Sequence, residues 1–217
     1  FISSNDFFNK LLIYKKPLTA LRIKRFSEFS IAFFLLLILS PLIFLAAICI
    51  KIEDNGPILY SQTRNGFGGR AFTIFKLRSM RKNAEKDGIK WASENDNRIT
   101  RVGFWIRKTR IDELPQLFSV LTGDMSLIGP RPERPEIDKM LVKEIPEYNL
   151  RYLVRPGLSG WAQVNYPYGA SVEDTKMKFS YDIYYIDNLS NLFDFLIFLE
   201  TIRLIFNLRG SKPIKNL

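Results

Sequence analysis

Residues Phe29 to Ile50 read FSIAFFLLLILSPLIFLAAICI, 22 residues without a charge. At about 1.5 Å per residue, a helix of this length reaches across a hydrocarbon layer of about 30 Å. The run is too long for the apolar part of a cleavable signal and has no small-residue cleavage site. A core helix of a soluble domain is disfavoured at this length. The segment is therefore expected to enter a membrane. Ser40-Pro41 sits at its middle, where proline removes an N–H and its ring crowds the carbonyl of Leu37. A kink is expected there, with the Ser40 hydroxyl able to satisfy a carbonyl that the proline frees. Lys24 and Arg25 precede the run, and Lys51, Arg64 and Arg70 follow it. A single span concentrates Lys and Arg on one side, so these balanced flanks predict a re-entrant helix with both ends on the cytoplasmic face. An ordinary span with a tolerated proline is the alternative.

Outside this run the composition narrows the chemistry. The chain has 217 residues, enough for one domain with a real core. Its net charge of +10 and pI near 9.7 point to anionic partners: nucleic acid, anionic lipid or a phosphorylated substrate. It contains no histidine, which removes the commonest general base, Ser-His triads and most zinc sites. Cys49, the single cysteine, lies inside the apolar run, so neither an intrachain disulfide nor a cysteine metal cluster is possible. Any catalysis is left to carboxylates, Lys, Arg, Tyr or an oxygen-bound metal. Residues 1–23 are a basic segment, and because the chain starts at Phe1 they read as the tail of a missing upstream region.

After the membrane segment, 58–64 and 71–77 flank Asn65-Gly66-Phe67-Gly68-Gly69, which predicts a β-hairpin with a glycine-rich loop. Lys76, Arg78 and Arg81 form a basic patch at the end of its second strand. Residues 85–97 are polar and read as loop, and Thr100 to Lys108 shows a short helical pattern. Then comes Arg107-Lys-Thr-Arg-Ile-Asp112-Glu113-Leu-Pro115-Gln116-Leu, a basic segment running into two adjacent carboxylates. Asp112 stands where a helix N-cap is expected, with Pro115 tolerated in the first turn and Leu114, Leu117, Phe118 and Leu121 at helical spacing. A helix N-terminus favours both an ionised carboxylate and an arriving phosphate. A capped surface helix is the plain alternative. Gly123 to Pro132 reads as an irregular connector with Arg131 held between prolines. Residues 133–150 read as a solvated acidic helix, Arg155 to Gln163 as a glycine-bearing turn, and 174–186 as a helix. A last apolar helix over 192–208 belongs either to the core or to the membrane interface.

Several of these pieces occur in a telling order: Lys24-Arg25, the Ser40-Pro41 apolar segment, Gly56-Pro57, Gln62-Thr63-Arg64, FTIFKLRSM over 72–80, Asp112-Glu113-Leu114-Pro115-Gln116, Gly123-Asp124-Met125-Ser126, Gly129-Pro130-Arg131-Pro132 and Pro156-Gly157-Leu158-Ser159-Gly160. From Lys24 to Phe206 the chain resembles the bacterial sugar transferases, monotopic phosphoglycosyl transferases that move a sugar-1-phosphate from a UDP-sugar onto polyprenol phosphate. WAQVNYPYGASVEDT followed by YDIYYIDN resembles the longer subclass of that family. Glu28 departs from the usual aspartate after Lys-Arg but keeps a carboxylate.

The resemblance implies a mixed α/β (α+β) fold: a membrane-embedded re-entrant helical hairpin over 24–52, kinked at Ser40 and Pro41, then a cytoplasmic catalytic domain over 53–208 with a β-hairpin and amphipathic interfacial helices, and a tail over 209–217. It implies Asp112 as nucleophile and Glu113 as magnesium ligand, with Asp182 a second metal residue and manganese a substitute ion. Lys76, Arg78, Arg107, Arg131 and Arg155 are the implied phosphate-binding residues. The implied partners are a UDP-sugar, undecaprenyl phosphate and inner-membrane lipids at the cytoplasmic face, with a homo-oligomer possible and nucleic acid excluded. A carboxylate attack on the phosphate next to the sugar, giving an aspartyl phosphosugar and UMP, fits these residue types without the family name. Three rivals stay open: a one-step transferase in which Asp112 is a base or metal ligand, a membrane-anchored nucleic-acid-binding protein, and a structural membrane-assembly protein. The basic residues form no continuous stripe with stacking aromatics, which argues against the second.

Overall fold

The structure, a computed structural model, describes residues 18–84, 96–145, 147–166 and 171–207. The N-terminal segment up to Pro17, most of the polar stretch expected as loop, and the tail from Leu208 onward lie outside the described residues. The chain begins with α1, Leu18–Asp54, a helix of 37 residues that runs unbroken through Pro41. The Ser40 hydroxyl donates to the Leu37 carbonyl at 2.9 Å, the carbonyl that an N–H at position 41 would otherwise serve. Only 11% of the most apolar window of α1 is buried against the rest of the protein. Phe33, Phe34, Leu37, Ile38, Phe44 and Leu45 are all exposed. A soluble domain does not present so large an apolar surface to water, so α1 is not a soluble core helix.

One face of the apolar run docks on the folded unit. At the N-terminal flank, Ala32 enters the main core with Leu117, Val120, Met125, Leu127, Ile128, Tyr185 and Ile197. At the other, Ala46 and Ile50 pack with Leu77 and Ile106. Partly buried Leu35, Leu36 and Ile43 continue the packed face, and the opposite face, with Leu37, Ile38 and Phe44, offers lipid-compatible side chains.

The hairpin expected from sequence is present as β1, Leu59–Asn65, and β2, Ala71–Leu77. The strands are antiparallel and in register from Leu59↔Leu77 to Asn65↔Ala71. Strand alternation puts Phe72, Ile74 and Lys76 on one face, with Ile74 in the core. Helix α2, Arg101–Lys108, is doubly capped: the Thr100 side chain accepts from the Gly103 N–H, and the Glu53 carboxylate at the end of α1 accepts from the Arg101 and Val102 N–H groups. A 3-10 turn, Ile111–Gln116, then leads into α3, Leu117–Thr122.

The stretch expected as an irregular connector holds a strand, β3, Ser126–Ile128, which pairs in parallel with β4, Gly157–Ser159. Here Gly129 and Gly157 let two backbones touch. A Cβ on Gly157 would lie 2.1 Å from the Gly129 nitrogen, a distance no side chain tolerates. Two motifs about thirty residues apart are thereby brought into contact. The acidic stretch resolves into α4, Pro135–Glu144, and a 3-10 turn, Tyr148–Leu153. Three helices finish the fold: α5, Trp161–Asn165, α6, Val172–Asp187, and α7, Asn191–Phe206. A capping box between Ser171 and Asp174 starts α6, and Ser190 caps α7. Lys24 near the start of α1 reaches Asp194 of α7 at 2.6 Å, Tyr185 at 3.1 Å and the Ile128 carbonyl at 3.2 Å.

Candidate active site

The two adjacent carboxylates sit where α1, β2 and α3 meet. After α2, Arg110 adopts the left-handed conformation, with φ of 60°. Non-glycine residues rarely do so, and here it turns the chain from α2 into the 3-10 turn. Asp112 and Glu113 fall inside that turn, and Arg110 holds the N-cap position. The expected N-cap role of Asp112 is thus corrected. The physical consequence is that no backbone N–H of a helix start consumes its carboxylate. Asp112 Oδ1 is buried and has no hydrogen-bond partner among the described residues, and the same holds for Gln116 Nε2 four residues on. Buried polar atoms are almost always paired, so these two, four residues apart in the chain, are open to a ligand.

Glu113 is the opposite case. Lys76 Nζ lies 2.8 Å from its Oε1, Arg131 Nη2 donates to the same oxygen at 2.5 Å, and Arg110 Nη1 approaches Oε2 at 3.6 Å. The alternation of β2 aims Lys76 inward, and the Pro130-Arg131-Pro132 segment delivers Arg131.

Both carboxylates are only 7% exposed, yet their electrostatics diverge. Burial, then the charge of Glu113, pushes Asp112 up from 3.8 to about 6, against the pull of Lys76, Arg110 and Arg107. Burial also opposes ionisation of Glu113, but Arg131, Lys76 and Arg110 together hold it well below the ordinary glutamate value. At neutral pH both are ionised. Asp112 keeps the higher proton affinity and a free oxygen, while Glu113 is neutralised by three cations. That division suits one carboxylate to attack an electrophile and the other to hold charge.

The remaining expected site residues divide. Arg107, half-buried in the last turn of α2, is close enough for its charge to stabilise ionised Asp112, and its side chain makes no hydrogen bond or ion pair among the described residues. Arg78 stands elsewhere. It lies one residue past the end of β2, where strand alternation no longer applies, and its guanidinium grips both oxygens of Asp54 at the end of α1. Arg155 is exposed; its Nε donates to the Gly123 carbonyl at 3.0 Å, with the guanidinium 6.0 Å over the Phe67 ring. Asp182 is 3% exposed and pairs with Arg151 at 2.9 Å. Burial raises its carboxyl to about 6 in spite of that partner. Among the described residues no group of three or more His, Cys, Asp or Glu side chains converges to hold a metal ion.

With this geometry in place, comparison with known proteins is informative. The sequence profile of the family described as bacterial sugar transferase matches residues 19–208. The chain belongs to the bacterial sugar transferases. A UDP-N-acetylgalactosamine-undecaprenyl-phosphate N-acetylgalactosaminephosphotransferase of Aeromonas hydrophila is 48% identical over 190 residues, 88% of this chain and 45% of that protein. An undecaprenyl-phosphate glucose phosphotransferase of Komagataeibacter xylinus is 40% identical over 90% of this chain and 38% of its own length. A UDP-glucose:undecaprenyl-phosphate glucose-1-phosphate transferase of Caulobacter vibrioides is 44% identical over 82% of this chain and 68% of its own length. This sugar transferase therefore spans under half the length of the first two. Sequence reading placed the charge of Arg110 beside the carboxylates without giving it a site role, and it missed Gln116 and Arg151. Arg110 and Gln116 lie inside the quoted Asp-Glu stretch, so their positions were in view; no local pattern flags Arg151.

Proposed function

We propose that this sugar transferase moves a sugar-1-phosphate from a UDP-sugar to undecaprenyl phosphate, the first membrane step of exopolysaccharide or surface-glycan synthesis. The observation that carries the reading is the buried pair itself: Asp112 with an unpartnered oxygen and raised proton affinity, beside Glu113 in a cradle of three cations. An Asp112 oxygen attacks the phosphorus next to the sugar. The new O–P bond gives an aspartyl phosphosugar as the P–O bond to the other phosphate breaks, and UMP leaves with that electron pair. A phosphate oxygen of undecaprenyl phosphate then attacks the same phosphorus, forming the polyprenyl-diphosphate sugar and returning Asp112 as a carboxylate. Lys76, Arg131 and Arg107 stabilise the charge on the transferring group, the main catalytic demand of phosphoryl transfer.

A hard divalent ion suits this donor set in part. Glu113 offers carboxylate oxygens, Asp112 Oδ1 is unpaired, and substrate phosphates supply further oxygens, as magnesium sites commonly require. Bound there, magnesium or manganese would neutralise diphosphate charge. Because Glu113 already faces three cations, an ion held there would compete with them for its oxygens.

The contacts of α1 support the expected membrane arrangement. Both flanks of its apolar run dock on one folded unit, Lys24 against Asp194 and Asp54 against Arg78, which supports a re-entrant segment with both ends on the cytoplasmic face of the inner membrane. The 3-10 turn and α3 share a core with α1, so a lipid phosphate at the interface meets Asp112 without crossing the fold. The nucleic-acid reading fits less well: Arg78, Arg98, Arg131 and Arg151 are committed to carboxylates rather than arrayed along an exposed stripe.

The test is UMP release by purified protein given magnesium, undecaprenyl phosphate and a panel of UDP-sugars. Without acceptor, intact-mass analysis is expected to show a hexose phosphate on Asp112, absent in Asp112→Asn. Turnover by the Asn variant would favour the one-step mechanism.

A further inference from the structure

The segment Pro130-Arg131-Pro132 is fastened by all three of its carbonyls. The Gly157 N–H donates to the Pro130 carbonyl at 2.8 Å, Arg151 Nη2 to the Arg131 carbonyl at 2.6 Å, and Arg64 Nη1 to the Pro132 carbonyl at 3.1 Å. Two of its three residues are prolines with no N–H to give, so acceptance is the main way the backbone can be held. Of the three donors only Arg151 is a buried charge. It is 6% exposed, its Nη1 donates to the Tyr148 hydroxyl, its guanidinium lies 4.9 Å from the centre of the Tyr148 ring, and Nη2 also donates to Asp182 at 2.9 Å. A buried guanidinium is tolerable only when paired and fully hydrogen-bonded, and Asp182 supplies the charge. One residue thus links a carboxylate of α6 to the backbone of the residue whose side chain grips Glu113.

We propose that Arg151, held charged and oriented by Asp182, is a positioning residue: it fixes the Arg131 backbone so that the Arg131 guanidinium stays on Glu113 and faces the transferring phosphoryl group. Asp182 acts through Arg151 and is not a metal ligand. The inference rests on reading Asp112 and Glu113 as the reacting site. A guanidinium swings on a long side chain, so a shift in its backbone anchor displaces the charge from the transition state, and a misplacement of about 1 Å costs up to about a hundredfold in rate.

The experiment is a double-mutant cycle on UMP release in detergent-solubilised full chain, with Arg151→Lys, Asp182→Asn and Arg131→Ala alone and paired. Each of the first two is expected to lower kcat about tenfold in the wild-type background and less than about twofold once Arg131 is already alanine. Manganese binding, followed by electron paramagnetic resonance without turnover, is expected not to weaken in Asp182→Asn. Tyr152→Phe, which removes a hydroxyl that donates to Asp138 in the same buried cluster, is expected to lower the melting temperature without coupling to Arg131. If Arg151→Lys does not fold, the near-isosteric Asp182→Asn carries the cycle. Costs that multiply undiminished in the Arg131→Ala background would overturn the positioning role, as would a tenfold loss of manganese affinity in Asp182→Asn. A wild type that releases no UMP from any UDP-sugar would overturn the transferase reading and the relay with it. Wild-type turnover with an additive cycle removes the relay alone.

Discussion

Asp112→Asn is expected to make the protein more stable while abolishing its activity, and the gain is expected to depend on pH. Burial and the neighbouring Glu113 charge raise the Asp112 carboxyl from 3.8 to about 6 in the folded protein. A shift of this size, at ~1.36 kcal/mol per unit, corresponds to about 3 kcal/mol at neutral pH. With the group only 7% exposed, solvent screening reduces this little. The folded state binds the proton more tightly than the unfolded chain. The carboxyl's contribution is therefore fully present below 3.8 and is lost as pH rises through about 6. The wild type loses stability across that window, whereas the amide does not titrate. An Asn side chain brings a buried N–H₂ that needs a partner, which offsets about 1 kcal/mol and leaves a net gain of about 2 kcal/mol at pH 8. For a chain of this size that is a rise of about 4–8 °C in melting temperature. Thermal melts of both proteins in one detergent, at pH 5 and pH 8, with UMP release measured in parallel, decide the matter. The advantage of the Asn variant is expected to shrink by about 1.4 kcal/mol at pH 5, where much of the wild-type carboxyl is protonated. Equal melting temperatures at pH 8, or a gain that ignores pH, would refute the account of Asp112 as a strained, buried anion.

Other outcomes follow from the same geometry. The rate of UMP release is expected to fall as pH drops through about 6, because protonated Asp112 has no nucleophilic oxygen; a pH–rate profile flat from 5 to 8 would contradict this. Chelation is expected to stop turnover, and Glu113→Gln to lower it by about a hundredfold or more, readable as a magnesium titration of each protein. Gly56→Ala is expected to cost about 1–3 kcal/mol, since its Cβ would stand 2.5 Å from an Arg78 nitrogen committed to Asp54; unchanged melting would sink that packing argument. In a Cys49→Ser background, Ser27→Cys and Asn55→Cys are both expected to resist a membrane-impermeant thiol reagent applied outside intact cells. External labelling of Ser27→Cys would show an ordinary span.

What the sequence determined by itself is what short-range pattern encodes. Twenty-two uncharged residues specify a segment too apolar for water. Alternation around a glycine-rich loop specifies a hairpin in which Lys76 shares a face with Ile74. The ordered motifs specify a bacterial sugar transferase, and the one place in the chain where Asp112 and Glu113 stand together inside such a motif specifies where to look for chemistry. The Ser40 bond to the Leu37 carbonyl was foreseeable, but the unbroken path of α1 through Pro41 was not, because it also depends on packing of one helix face against the folded unit. Nor was the left-handed Arg110, since Asp112 followed by Pro115 looks locally like a capped helix start. Strands of three residues, β3 and β4, are too short for periodicity to reveal and exist because Gly129 and Gly157 allow their backbones to meet. Above all, the chain has 32 Lys and Arg and 22 Asp and Glu, and nothing local says which cation meets which carboxylate. Three cations on Glu113, none bonded to Asp112 Oδ1, Arg78 on Asp54 and Arg151 on Asp182 are outcomes of long-range packing. Charge interaction depends on distance and burial, and only the tertiary structure sets both.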